Sequence, residues 1–115
     1  MRFAGLYRNY AQAGAHILTV PAAFTVPTGR AHWESLLRAR AIETGSYVLA
    51  AAQGGQHEDG RETWGHSMII NPWGEVLAGC PDNQPGYIIA NLDFENVHKA
   101  RAKIPAWQLE QTYSL

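Results

Sequence analysis

Chemically capable side chains are concentrated in one polar loop, residues 53–65, and just beyond it. Two imidazoles and three carboxylates lie within ten residues there: His57, Glu58, Asp59, Glu62 and His66. Such groups bind zinc and other divalent ions, so a metal-dependent hydrolase is one hypothesis. The spacing matches no established metal-ligand motif, and a solvated loop has the same composition. A solvated loop is the favoured interpretation, and no metal or other cofactor is predicted.

The nucleophilic side chains give no complete active site either. Cys80 lies between Gly79 and Pro81 with no His or Lys adjacent in sequence, so nothing local activates its thiolate. A structural cysteine is therefore the favoured interpretation. The serines lie outside any G-x-S-x-G motif, and no Gly-Lys-Ser or Gly-Lys-Thr follows the glycines of the polar loop.

Composition and charge exclude several classes of protein. The chain has 115 residues with nine Lys and Arg against ten Asp and Glu, a net charge of −1. This balance, without a basic run, argues against a nucleic-acid partner or a polybasic membrane patch. No apolar stretch approaches the roughly 18 residues of a membrane helix. One cysteine excludes an internal disulfide and the start resembles no signal peptide, so a cytoplasmic location is predicted.

The elements that must position these side chains follow from apolar periodicity and turn residues. Helices are predicted over 3–14, 30–44 and 93–102, and strands over 16–20, 46–52, 67–70, 75–78 and 87–92. Gly45 is a helix stop, Thr28 is a candidate N-cap and Asp93 caps the last helix. The turn Asn71-Pro72-Trp73-Gly74 joins two strands into a hairpin. This order predicts one layered α/β sandwich domain.

Several segments, in order, carry a resemblance to a known family. Among them are Arg2-Phe3, Leu18-Thr19-Val20-Pro21, Thr28-Gly29-Arg30-Ala31-His32-Trp33-Glu34, Tyr47-Val48-Leu49-Ala50-Ala51-Ala52-Gln53, Gly65-His66-Ser67-Met68-Ile69 and Asn71-Pro72-Trp73-Gly74. They resemble the C-terminal half of the nitrilase superfamily, the carbon–nitrogen hydrolases. Within it they most resemble the Nit-branch amidases that act on deaminated glutathione and related ω-amides. The resemblance implies that residues 1–115 are a partial domain, part of a four-layer α-β-β-α sandwich.

The resemblance also implies a mechanism with a covalent intermediate. In the family a Cys thiolate attacks an amide carbon and expels ammonia or an amine, and water then hydrolyses the thioester. A Glu is the general base and a Lys stabilises the oxyanion. The nucleophile lies in a Cys-Tyr-Asp-x-Arg-Phe pattern, of which Met1-Arg2-Phe3 matches only the last three positions.

The resemblance therefore places the nucleophile three residues before Met1 and the Glu and Lys farther upstream. Cys80 does not align with the nucleophile. We expect a chain without catalytic residues that is inactive and marginally stable alone, from a truncated or mis-started reading frame. A non-catalytic remnant that binds an intact amidase subunit is the alternative function.

Three substrate-binding residues carry over from the family: Arg2, Phe24 and Thr28. Arg2 would hold a substrate carboxylate through its bidentate fork, Phe24 would supply an apolar wall, and Thr28 a hydroxyl. Structural alternatives remain open. Arg2 pairs with a neighbouring carboxylate in that case, Phe24 belongs to the core, and Thr28 caps a helix.

The second predicted helix also has two interpretations. Residues 31–43 resemble the family's dimer-interface helix, which implies a homo-oligomer. The alternative is ordinary packing of an amphipathic helix on the sheet.

Overall fold

A four-stranded mixed sheet with two helices on one face forms the centre of the structure. The computed structural model describes residues 1–112 and 114. The helices are α1 (Ala4–Gln12), α2 (Val26–Thr44) and α3 (Glu95–Lys103), followed by a 3₁₀ turn at Ala106–Gln108. The strands are β1 (Ile17–Thr19), β2 (Tyr47–Ala50), β3 (Gly54–Gln56), β4 (Glu62–Trp64), β5 (Met68–Ile70) and β6 (Val76–Gly79). Within the described residues, no helix combines the length and apolar sequence needed to cross a membrane.

The sheet has the strand order β1-β2-β5-β6. β1 and β2 are parallel, with Ile17 opposite Tyr47, and α2 is the crossover that joins them. β2 pairs with β5 and β5 with β6 in antiparallel fashion, so the predicted hairpin is confirmed. β3 and β4 form a separate two-stranded hairpin.

The core lies between the sheet and the two helices. Successive side chains of a strand point to opposite faces, so Val48 and Ala50 of β2 face the helices while Leu49 faces away. Trp33 and Leu37 of α2 are almost fully buried against this face. Burial of each such side chain contributes about 1.5–3 kcal/mol. This packing fixes α2, and hence every side chain on it, relative to the sheet.

The start of α2 differs from the prediction. The helix begins at Val26 because Pro27 lies in its first turn, where the fixed φ of proline suits a helix. Thr28 is therefore inside the helix, and the prediction that it is the N-cap is wrong. Its hydroxyl lies 2.9 Å from the hydroxyl of Thr25 and 3.2 Å from the Thr25 carbonyl oxygen.

The end of α2 agrees with the prediction, whereas the start of α3 differs, because Phe94 and not Asp93 occupies its N-cap position. Gly45 ends α2 in the left-handed region, with φ of 58°. The carboxylate of Asp93 accepts a hydrogen bond of 3.0 Å from the N–H of Glu95 at the start of α3. Arg101 of α3 donates to the carbonyl oxygen of Thr44 at 3.1 Å, which anchors α3 at the end of α2.

The chain returns to α1 after the 3₁₀ turn. Gln12 donates to the carbonyl oxygen of Trp107 at 3.1 Å, and Arg8 forms an ion pair of 2.5 Å with Glu110. These contacts join the two ends of the described chain.

Two segments correct the sequence-based prediction. The polar loop contains the β3–β4 hairpin, in which Gly54 lies opposite Trp64. Residues 87–92, predicted as the last strand, have no regular secondary structure. Tyr87 and Ile89 there are 86% and 78% exposed. A strand needs a backbone partner, which an apolar pattern alone does not supply.

Candidate functional site

The candidate site lies beyond the carboxyl ends of β1 and β2, where ligands commonly bind to parallel strands. After β1 the chain stays extended and bonded to the continuation of β2. The N–H of Ala22 donates to the Ala51 carbonyl oxygen at 3.0 Å, and the N–H of Gln53 donates to the Ala22 carbonyl oxygen at 2.9 Å. These hydrogen bonds hold in place the backbone that leads to Phe24.

Phe24 is held through both its backbone and its ring. Its carbonyl oxygen accepts a hydrogen bond of 2.8 Å from the N–H of Trp64. Its ring meets the edge of Trp33, with ring centroids 5.2 Å apart. Trp33 is 1% exposed, and its indole N–H donates to the His66 carbonyl oxygen at 2.7 Å. The half-buried ring of Phe24 therefore lies at the border of the core with one side toward the surface.

Arg2 lies over this ring. Its guanidinium carbon is 5.3 Å from the Phe24 ring centroid, and Nη2 is 3.3 Å from Nδ1 of His32. A guanidinium can only donate, so Nδ1 is the acceptor in this contact. Among the described residues Arg2 forms no ion pair with a carboxylate.

The backbone beside Arg2 is anchored to α2. Nε of Arg40 donates to the carbonyl oxygen of Met1 at 3.1 Å. The Arg40 side chain is buried and its Nη1 lies 2.5 Å from a carboxylate oxygen of Glu43. A buried charge with this pairing holds one geometry, so the segment before α1 is fixed against α2.

Thr28 stands apart from the other two predicted residues. Its hydroxyl contacts Thr25, whereas Arg2 and Phe24 contact each other. Thr28 lies one helical turn before His32, and residues four apart share a helix face. That spacing is the sequence signal that could have identified His32, which the predicted site omits.

His66 contacts Trp33 and Trp64, the two residues that hold Phe24, and has an unusual backbone conformation. Its φ of 57° makes it the non-glycine residue with left-handed geometry among those described. Nδ1 donates to the Trp64 carbonyl oxygen at 2.5 Å, and the imidazole stacks on the Trp64 indole at 4.1 Å. Its carbonyl oxygen also accepts the hydrogen bond from the Trp33 indole, so His66 holds the backbone around Phe24 in place.

The other polar side chains of the loop serve the β3–β4 hairpin. Nε2 of His57 lies 2.8 Å from the Thr63 hydroxyl. Nε of Arg61 donates to the Asp59 carboxylate at 2.6 Å, and this hydrogen bonding lowers the pKa of Asp59. Within residues 1–112 and 114, no three His, Cys, Asp or Glu side chains are grouped to hold a metal ion. The metal-dependent alternative is therefore without a ligand set in that part of the chain.

A separate apolar cleft of about 450 Å³ lies on the sheet face away from the helices. Its lining includes Leu49, Ile69, Cys80, Tyr87 and Ile88. Cys80 is half-buried there, and its N–H donates to the Ser67 carbonyl oxygen at 2.8 Å. This environment is typical of a structural cysteine.

Known proteins similar to this chain are described as hydrolases or amidases. The carbon-nitrogen hydrolase family model matches residues 1–102. A deaminated glutathione amidase of Homo sapiens is 52% identical over 108 residues, which cover 94% of this chain and 33% of that protein. A probable hydrolase, nit2, of Schizosaccharomyces pombe is 50% identical over 102 residues, 87% of this chain and 37% of that protein.

A solved structure of a similar protein has the same fold as this chain. The crystal structure of the C. elegans NitFhit protein superimposes with a TM-score of 0.85 at 42% identity, covering 96% of this chain and 26% of that one. The chain spans about a third of the length of the curated relatives it matches.

Proposed function

This chain belongs to the carbon–nitrogen hydrolase family, and from that membership we propose that it is the C-terminal part of an amidase acting on small ω-amides. The family and the α/β fold class predicted from the sequence are confirmed. The observation that carries the proposal is the Arg2 guanidinium held over the Phe24 ring beyond the carboxyl ends of two parallel strands. The name of the human relative, deaminated glutathione amidase, supports the same substrate class.

The proposed roles follow from the chemistry of each group. The planar fork of Arg2 binds the carboxylate at the far end of the substrate through two parallel hydrogen bonds. The Phe24 ring packs against the apolar part between that carboxylate and the amide. Thr28 donates a hydroxyl hydrogen bond once its contact with Thr25 is exchanged for the substrate.

The proposal assigns the chemical step to residues that precede Arg2 in the complete protein. A Glu takes the thiol proton of a Cys, whose sulfur forms a C–S bond to the amide carbon, and the C–N bond then breaks as the protonated Glu returns that proton to the departing ammonia or amine. Water next attacks the thioester while a Glu accepts its proton, which releases the carboxylic acid and the thiol. A Lys stabilises the oxyanion in both steps. The family match supports these roles. We also propose that the protein acts in the cytoplasm.

The test starts from the DNA directly upstream of the Met1 codon. An in-frame Cys-Tyr-Asp is expected, and a stop codon at that place contradicts the proposal. The protein extended upstream far enough to include the Cys, the Lys and the Glu should release ammonia from the monoamide of glutaric acid, whereas the 115-residue chain should not. Measurable hydrolysis by the 115-residue chain alone would show that the chemical step has been assigned to the wrong residues.

A variant separates substrate binding from folding. In the extended protein, Arg2→Gln should raise KM for the monoamide about 10- to 100-fold, the equivalent of losing a charge-assisted hydrogen bond pair. KM for the uncharged diamide should stay unchanged. Arg61→Gln, on the exposed hairpin, is the matched control and should change neither value. Equal effects of Arg2→Gln on both amides would contradict the carboxylate role.

The proposal includes self-association through residues 31–43 of α2. Ala31, Ser35 and Arg38 are exposed on the side of α2 away from Trp33 and Leu37, which supports such a surface. Size-exclusion chromatography with light scattering should give a dimer or a higher homo-oligomer. A compact monomer at micromolar concentration contradicts this part of the proposal.

A second candidate is a non-catalytic partner of an intact amidase subunit. The exposed apolar side chains Tyr87 and Ile89 beside the cleft favour it, because exposed apolar surface promotes association. Mixing the chain with a full-length amidase of the same organism tests it. Co-elution of the two proteins supports this candidate, and separate elution contradicts it.

A further inference from the structure

His32 stands at the candidate site as a polar group without an assigned role. We propose that His32 determines specificity by holding the Arg2 guanidinium in the orientation that receives a substrate carboxylate. This inference rests on the proposed function, because it concerns the same carboxylate. It makes His32 a positioning residue that acts through Arg2.

The contact joins two rigid parts of the fold that are far apart in sequence. Nδ1 of His32 and Nη2 of Arg2 are 3.3 Å apart across a separation of 30 residues. The backbone of His32 is fixed because α2 is anchored by the buried Trp33 and Leu37. The backbone before Arg2 is fixed by the Arg40 bond to the Met1 carbonyl oxygen. The side chains of Arg2 and His32, both exposed, are the parts that this contact orders.

Ordering the Arg2 side chain before the substrate arrives improves binding. A free arginine side chain samples many rotamers, and a group ordered in advance does not lose that entropy on association. The Phe24 ring, whose centroid is 5.3 Å from the guanidinium carbon, restrains the group from one side. The His32 contact at Nη2 restrains it at a second point.

The chemistry of the partner suits this role. A guanidinium has five N–H donors, and His32 uses one, which leaves enough for a bidentate carboxylate. A neutral imidazole accepts the bond without cancelling the positive charge of Arg2. An Asp or Glu in its place would occupy the fork and compete with the substrate carboxylate. A neutral acceptor that forms a single hydrogen bond therefore orients Arg2 and leaves its other N–H groups free for the substrate carboxylate.

The experiment measures binding to the 115-residue chain, so it does not require catalysis. The monoamide and the diamide of glutaric acid are titrated separately, and the Arg2 Nε–H resonance is followed by ¹H–¹⁵N NMR. The unaltered chain should bind the monoamide more tightly than the diamide, and Arg2→Gln should abolish the difference. His32→Leu should weaken monoamide binding about 5- to 10-fold and leave diamide binding unchanged. His32→Gln should restore most of the affinity, because its amide oxygen is also a neutral acceptor.

Two controls separate positioning from structure. Asn9→Leu places the same side chain on an exposed position of α1, outside the candidate site and the proposed self-association surface, and should change neither affinity. The urea midpoints of the two His32 variants should match that of the unaltered chain. Equal losses in His32→Leu and His32→Gln, or a lowered midpoint in both, would assign His32 a structural role and overturn the inference.

The remaining outcomes are also decisive. If Arg2→Gln abolishes the preference for the monoamide and His32→Leu retains it, the inference is overturned while the proposed role of Arg2 stands. If the unaltered chain binds both amides equally, the carboxylate role fails, and the inference fails with it.

Discussion

Replacing Gly29 with alanine should destabilise the fold, although alanine is the better helix former. Gly29 lies in the first turns of α2, against Trp64 of β4. An added Cβ would lie 2.6 Å from Cδ1 of Trp64 and closer still to Cγ and Cβ. Carbon atoms in contact are about 3.5–4.0 Å apart, so α2 and β4 must separate by about 1 Å or more. Rotation of the indole cannot relieve a clash at the base of the side chain.

The magnitude follows from three opposing contributions. Alanine is favoured over glycine within a helix by about 1 kcal/mol. Forced overpacking costs about 1–3 kcal/mol. Displacement of β4 also strains the hydrogen bond from Trp64 to the Phe24 carbonyl oxygen, a loss of about 1 kcal/mol. The free energy of unfolding should therefore fall by about 1–3 kcal/mol.

Urea unfolding, followed by tryptophan fluorescence and far-UV circular dichroism, measures this change. The midpoint for Gly29→Ala should fall by about 1 M, since urea m-values of small proteins are about 1–3 kcal/mol/M. Gly5→Ala in α1 is the matched control, because a Cβ there meets nothing within 4 Å. Gly5→Ala should stabilise the chain by up to about 1 kcal/mol. A Gly29→Ala midpoint equal to or above that of the unaltered chain would refute the packing argument.

Two further predictions concern single polar contacts. Arg101→Met keeps the aliphatic stem but removes the bonds to the carbonyl oxygens of Thr44 and Ala15, and should destabilise the chain by about 2–4 kcal/mol in thermal unfolding; an unchanged Tm would contradict it. Arg61→Gln should raise the pKa of the Asp59 carboxyl, which the hydrogen bonds from Arg61 lower. Because folding lowers that pKa, the pair stabilises the hairpin above the ordinary carboxyl pKa, and this is lost as pH falls through the lowered value. An NMR titration of the carboxyl carbon that is identical in both proteins would disprove the assignment.

The sequence predicted most accurately the features that are specified by local residues. The turn Asn71-Pro72-Trp73-Gly74 specified its own hairpin, and Gly45 specified the end of α2, because both signals are local. Residues 87–92 have the apolar character of a strand but find no strand neighbour among the described residues. Strand formation depends on that neighbour, which periodicity does not encode. The β3–β4 hairpin escaped prediction for the converse reason, since its polar and glycine-rich strands carry little apolar signal.

The candidate site was predictable only in part for a related reason. The family resemblance identified Arg2 and Phe24, and the structure places them in contact although 22 positions separate them. His32 was missed because its four-residue spacing from Thr28 indicates a shared helix face but not the contact with Arg2, which lies 30 positions away. Thr28 carried a capping signal that Pro27 overrode by starting the helix earlier. Local sequence signals therefore predicted where the elements lie, whereas the packing of α2 determines which site side chains contact each other.

The return of the chain to α1 has a consequence for the order of folding. The contacts of Gln12 with Trp107 and of Arg8 with Glu110 close a loop of nearly the whole chain. Closing a flexible loop of roughly 100 residues carries an entropic cost of about 4 kcal/mol, which hairpins and helices do not incur. These contacts should therefore form after the sheet and α2 have assembled. In native-state hydrogen exchange, the same segment should open first and expose α1 without unfolding the central strands.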